Sequence, residues 1–150
     1  MFTTSFKNLV MDNIFKGNSG GGALPSTYYV GLSATEMDAS GGNITEPSGA
    51  GYARVPAPFS ASSDGKVYNA SNIEFPKSTG SWGTVSYCVL FDGPAEGASP
   101  VWCRPLDAPQ TVTADNSCVS GNSVSCCFVP CSAAERYVHM YEHGGIYPGT

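Results

Sequence analysis

Apolar residues occupy nearly every position of Val85-Ser86-Tyr87-Cys88-Val89-Leu90-Phe91, so both phases of a period-two alternation are apolar. Such a run is expected of a central strand in a sandwich. Residues 27–34, TYYVGLSA, are rich in aromatic and β-branched side chains and predict the first strand. Further extended runs cover residues 52–75, 100–106, 110–114 and 123–130, with turn signals at Asp92-Gly93-Pro94, Asp115-Asn116 and Gly121-Asn122. Within 52–75, Asp64-Gly65 is the pair a tight hairpin turn prefers. Pro56 and Pro58 cannot donate to a ladder, which puts their strand at an edge. Short strands spaced by such turns predict a mainly β fold, an antiparallel sandwich or jelly-roll-like domain over residues 27–130.

The period changes at both ends. Phe6, Leu9, Val10 and Ile14 fall on one helical face, predicting an amphipathic helix over residues 1–16. Thr3, Thr4 or Ser5 can cap its start, and the linker GNSGGG stops it at Gly17. So short a helix does not stand alone, so its four apolar residues are expected to be buried against the body or a neighbouring subunit. Residues 133–143 also read as helix, ending at Gly144-Gly145, with Tyr137, Val138 and Tyr141 as an apolar stripe. Residues 131–150 are too few to hold a core and are expected to serve as a C-terminal docking tail.

Composition narrows the function. The 150-residue chain is only 13% charged, with 18 Gly and 11 Pro, as in a turn-rich β protein. A net charge of −5 with seven scattered Lys and Arg argues against a nucleic-acid partner. No run of eighteen apolar residues predicts a membrane span, and Met1-Phe2-Thr3 does not open a secretory signal, so the chain reads as soluble and made in the cytoplasm. Hydrophobic residues make up 41% of the chain, more than one small sandwich covers, which predicts self-association with a trimer favoured.

Candidate chemistry is thin. Nucleophilic catalysis needs a base beside a Ser or Cys, yet both histidines lie near the C-terminus and no nucleophile elbow is present. No enzyme activity, catalytic residue or cofactor is expected. His139 and His143, four apart, could join Cys126 and Cys131 in a zinc set, but the loop between the pairs is short and exposed histidines are the better reading. Glu36, Asp38 and Glu46 share a polar loop without the spacing of a calcium site, so no metal is expected. The six thiols, Cys88, Cys103, Cys118, Cys126, Cys127 and Cys131, read as buried hydrophobes or as disulfides. Tyr28, Tyr52, Trp82 and Trp102 are the candidate platforms if the chain binds glycans.

The segments FKNLVMDNIFKG, STYYVGLSATEMD, GAGYARVPAPFSASSDGKVYNASNIEFPKSTGSWGTVSYCVLFDGPAEG and VWCRPLDAPQTVTADNS together resemble a family of small bacteriophage structural proteins often labelled tail fibre proteins. The resemblance spans about residues 1–130. It rests on Gly51-Tyr52-Ala53-Arg54, on the Asn69 to Phe75 run, and on Trp82-Gly83-Thr84-Val85 followed by Phe91-Asp92. It implies a virion component without enzyme activity, made in the host bacterial cytoplasm and bound to itself and to major capsid or tail proteins. Trp82 reads as a packing anchor at a strand entrance. The chain has neither internal repeats nor sustained heptads, as a fibre shaft requires, so a head decoration or cement protein is expected first. A tail or tail-fibre component is second, and a host glycan-binding module third.

Overall fold

A computed structural model of the chain describes residues 1–17, 22–62, 67–71, 73–114, 125–128 and 140–141. Its centre is a four-stranded antiparallel sheet in the order β2-β1-β4-β5, built from β1 (Tyr28–Ser33), β2 (Val55–Ala57), β4 (Gly83–Phe91) and β5 (Pro100–Val112). As the apolar pattern requires, β4 is interior, pairing with β1 on one side and β5 on the other. The strand carrying Pro56 is at the edge, where a missing N–H costs no ladder bond.

Both faces of β4 are covered. Val30, Leu90 and Trp102 stand in one row of the sheet and face a core completed by Ile73, Phe75 and Trp82 from the segment leading into β4. Val89, Phe91 and Cys103 face the other way, against Met37 and Ile44 of the long loop after β1. The apolar residues of both phases thus serve two cores, one on each side of a single sheet.

Of the expected sandwich, the described residues form this sheet and a small second one, β3-β6-β7, from β3 (Val67–Tyr68), β6 (Ser125–Phe128) and β7 (Met140–Tyr141). The fold is therefore mostly antiparallel β, and the covering of the larger sheet comes chiefly from loops and the N-terminus. The Asp64-Gly65 turn lies outside the described residues, while the antiparallel bridge of Phe59 with Asn69 brings together the chain on either side of it.

Two element assignments need correction, one expected as strands and one as helix. Residues 100–106 and 110–114 were expected as separate strands, but Pro100–Val112 is one strand, β5, and Thr113 and Ala114 lie beyond it. The ladder steps from Val85 to Tyr87 on β4 while β5 advances from Pro105 to Gln110, so a bulge takes up the extra residues around Pro109. At the other end, Met140 and Tyr141, expected as helix, pair antiparallel with Cys126 and Ser125. The aromatic ring of Tyr141 favours extended backbone, which competes with the helical spacing.

The helix α1 (Thr4–Phe15) begins and ends as its sequence dictates. Thr3 Oγ1 accepts from the Phe6 N–H, and Gly17 leaves the helix with φ of +59°. Ahead of it, Met1 to Thr3 line the free edge of β5. Cys103 N donates to Met1 O at 3.0 Å, Thr3 N donates to Val101 O at 2.9 Å, and Phe2 bridges Trp102. The expected burial of the helix face is only partly found: Phe6 packs on the core, whereas Ile14 is 64% exposed. Leu9 and Val10 are half-buried, and Met11, Ile14 and Phe15 are exposed.

Candidate functional site

The boxes that set this sequence apart converge on one place. Gly51 adopts φ of +78°, a left-handed turn that an L side chain resists, and a Cβ there would sit 3.1 Å from Lys77 O. This turn swings Tyr52 into the core, stacked on Phe75 with centroids 6.2 Å apart and edge-on to Trp82 at 5.2 Å. Trp82 is buried, and its indole Nε1 donates to Ala50 O at 2.9 Å while its backbone N donates to Val112 O. The tryptophan therefore pins the Gly51 turn to the end of β5.

Beyond the ring, the Tyr52 hydroxyl donates to Glu46 Oε1 at 2.7 Å and accepts from Leu32 N at 2.8 Å. Glu46 in turn accepts from Arg54 Nε at 3.1 Å and from Arg54 Nη2. The Arg54 side chain is only 7% exposed, and its guanidinium carbon lies 3.4 Å from the centroid of the Phe91 ring. Its Nη1 donates to Ala95 O at 2.6 Å. A buried guanidinium stacked on an aromatic face and forked onto a carboxylate is a strong, geometrically specific contact. Room for it exists because position 31 is glycine: a Cβ there would lie 2.6 Å from Glu46 Oε1 and 2.9 Å from Tyr52 Oη.

Burial, reinforced by the Glu46 carboxylate, raises the Tyr52 phenol well above its ordinary range. Each guanidinium nitrogen of Arg54 has a partner inside the chain. A polar cleft of about 270 Å³ opens beside the pair, with Pro47, Ser48, Pro94 and Glu96 on its walls. The arrangement ties three loops to the sheet: the loop holding Glu46, the Gly51 turn, and the turn after Phe91.

Other sequence candidates are dispersed. Asp38 holds its own loop, Oδ1 accepting from Ser40 N at 2.8 Å, Ser40 Oγ at 2.6 Å and Gly42 N at 2.8 Å, and the Ser40 hydroxyl leads the lowering of its pKa. Glu36, Asp38 and Glu46 do not assemble, and no group of three metal-ligating side chains occurs among the described residues. Of the zinc set, Cys131, His139 and His143 lie outside the described residues, and Cys126 is described only by its backbone. Cys88 and Cys103 are buried thiols, not joined in a disulfide. Trp82 and Trp102 are 7% and 4% exposed, and Tyr28 and Tyr52 half-buried, so neither tryptophan offers a face to a sugar. No described helix is long and apolar enough to cross a membrane.

The Arg54/Glu46 pair was not foreseen from the sequence. A signal was present: in a chain with seven Lys and Arg, one arginine fixed next to Gly51-Tyr52 stands eight residues from a glutamate.

Among the described residues, this polar cluster is spent on holding the chain's own loops. The chain belongs to the Gp80 family, described as podophage GP4 fiber I protein gp80, whose family model matches residues 1–123. It is thus a phage fibre-type structural protein of the virion. No curated protein matches the sequence.

Proposed function

We propose that this protein is a tail-fibre-type component of the phage particle, assembled as a homo-oligomer and attached to other tail proteins. The family match over residues 1–123 carries the reading. The head-decoration expectation rested on the lack of repeats and heptads, and the fibre description of the family weighs against it, since a compact domain can equally form a joint or tip of a fibre.

Self-association is supported by large apolar side chains left at the surface, among them Met11, Ile14, Phe15 and Leu24. The homotrimer is the stoichiometry adopted. The role is architectural and without catalysis, and the chain is made in the host bacterial cytoplasm before assembly.

Fractionation of purified virions into heads and tails, followed by quantitative mass spectrometry, tests the placement. The chain is expected in the tail fraction at a fixed copy number. Its recovery with empty heads would restore the decoration reading.

A further inference from the structure

Two apolar features of this chain remain open among the described residues, and they lie apart. The first is the distal half of α1, where Met11, Ile14 and Phe15 are 53%, 64% and 75% exposed. The second is a groove of about 240 Å³ at the other end of the helix, walled by Phe2, Phe6, Tyr28, Phe59, Val67 and Leu90. Phe6 lies edge-on to Tyr28 at 6.2 Å, and Tyr28 to Phe59 at 6.2 Å, so the walls are largely aromatic rings.

An apolar cavity of about 150 Å³ already holds a benzene molecule, so this groove accommodates a phenyl ring with an aliphatic neighbour. Its walls are almost bare of hydrogen-bonding groups, which suits an apolar side chain and not a sugar. Phe15 and Ile14 match it in size and chemistry. They cannot reach the groove of their own chain: Phe6 forms its wall, and Phe15 stands nine residues further along a rigid helix, about 13 Å away at 1.5 Å per residue. A groove of this kind that receives Phe15 and Ile14 therefore belongs to another copy of the chain.

We propose that the distal end of α1 of one copy, with Phe15 and Ile14 as the inserted side chains, seats in the aromatic groove of a second copy. The contact is head-to-tail, joining different patches of the two partners, and such contacts close into rings when the rotation permits. The proposal rests on the self-association put forward above.

Analytical ultracentrifugation of the purified full-length chain supplies the first test. Phe15→Asp, at an exposed site, is expected to leave the circular dichroism spectrum of the folded chain unchanged and to weaken association at least about 30-fold, as loss of a central anchor does. Val67→Trp narrows the groove and is expected to do the same. Mixed together, the two variants should form a one-to-one dimer, because one retains the groove and the other the helix end. Wild-type chains that sediment as monomers at 100-fold the expected physiological range, or association unaffected by Phe15→Asp, would overturn the contact. Failure of the folded variants to pair would point to helix-on-helix packing and equally overturn it.

A photo-reactive benzoylphenylalanine at position 15 covers the case in which Val67→Trp does not fold. In a mixture of isotopically light and heavy chains, mixed cross-links to peptides containing Tyr28, Phe59 or Val67 are expected. Cross-links confined to one chain, or to another surface, refute the proposal. These measurements use the isolated chain, so absence of the protein from phage tails would remove the virion placement while leaving the contact standing.

Discussion

The hydroxyl of Tyr52 lies 2.8 Å from the backbone nitrogen of Leu32, just past Val30↔Val55, the last pair that joins β1 to β2. A side chain thus takes over the ladder where the edge strand stops. Because the same hydroxyl gives its proton to Glu46, ionisation would break a bond and set two anions together.

This fixes a response to alkali. Above pH 10 the unfolded chain releases the Tyr52 proton and the folded chain retains it, so the stabilisation present below that pH is lost as pH rises. Wild-type stability should fall more steeply than that of Tyr52→Phe, by up to about 1.4 kcal/mol per pH unit. Urea titrations of both proteins from pH 9 to 11.5 read the difference, and parallel curves would contradict it.

Gly31→Ala should cost about 2–3 kcal/mol, as overpacking of a closed site does. The three atoms a methyl group would strike, from Glu46, Phe91 and Tyr52, are held by Arg54 or by each other and have little freedom to withdraw. Thermal and urea denaturation measure the loss. A neutral substitution would show that the cradle is loose.

Removing one member of the buried ion pair should be worse than removing both. Arg54→Met leaves Glu46 without its cation and is expected to cost about 3 kcal/mol, whereas the Glu46→Gln, Arg54→Met double variant should recover a substantial part of this. Additive losses in the double-mutant cycle would indicate that the pair is not coupled.

For Trp82, two substitutions separate its roles. Trp82→Phe keeps the ring against Tyr52 but gives up the bond to Ala50 O, at about 1 kcal/mol. Trp82→Ala opens a cavity and should cost about 3–5 kcal/mol. Equal losses would mean that the hydrogen bond, and not packing, holds the Gly51 turn.

The buried thiols supply a probe of the sheet itself. Cys88 and Cys103 sit on adjacent strands but face different cores, so neither should react with iodoacetamide in the native protein and both should react in denaturant. Peptide mapping decides the matter, and labelling of either site under native conditions would show that the sheet opens locally.

Elements written in local signals were legible in the sequence. Thr3 as a cap, Gly17 as a stop, Pro56 at an edge and β4 at the centre each depend on a few neighbouring residues. Features that depend on distant partners were not. Leu9 and Ile14 have helical spacing, but spacing does not say how much surface the body offers beneath them. Pro109 looks like a strand break, and only the register against β4 shows a bulge that absorbs it. Glu46 and Arg54 meet through a loop without periodicity, so this polar cluster left almost no trace in the pattern of the sequence.

Residues 1 to 3 close the outer edge of the sheet by pairing with residues 101 to 103, and this sets an order in time. During synthesis the N-terminal arm leaves the ribosome about a hundred residues before its partner strand, at a rate on the order of 10 residues per second. For that interval Phe2 and Phe6 have no sheet to cover, and the edge of β5, once made, has no strand beside it. A newly made chain is therefore most open to capture by identical copies just before the arm docks.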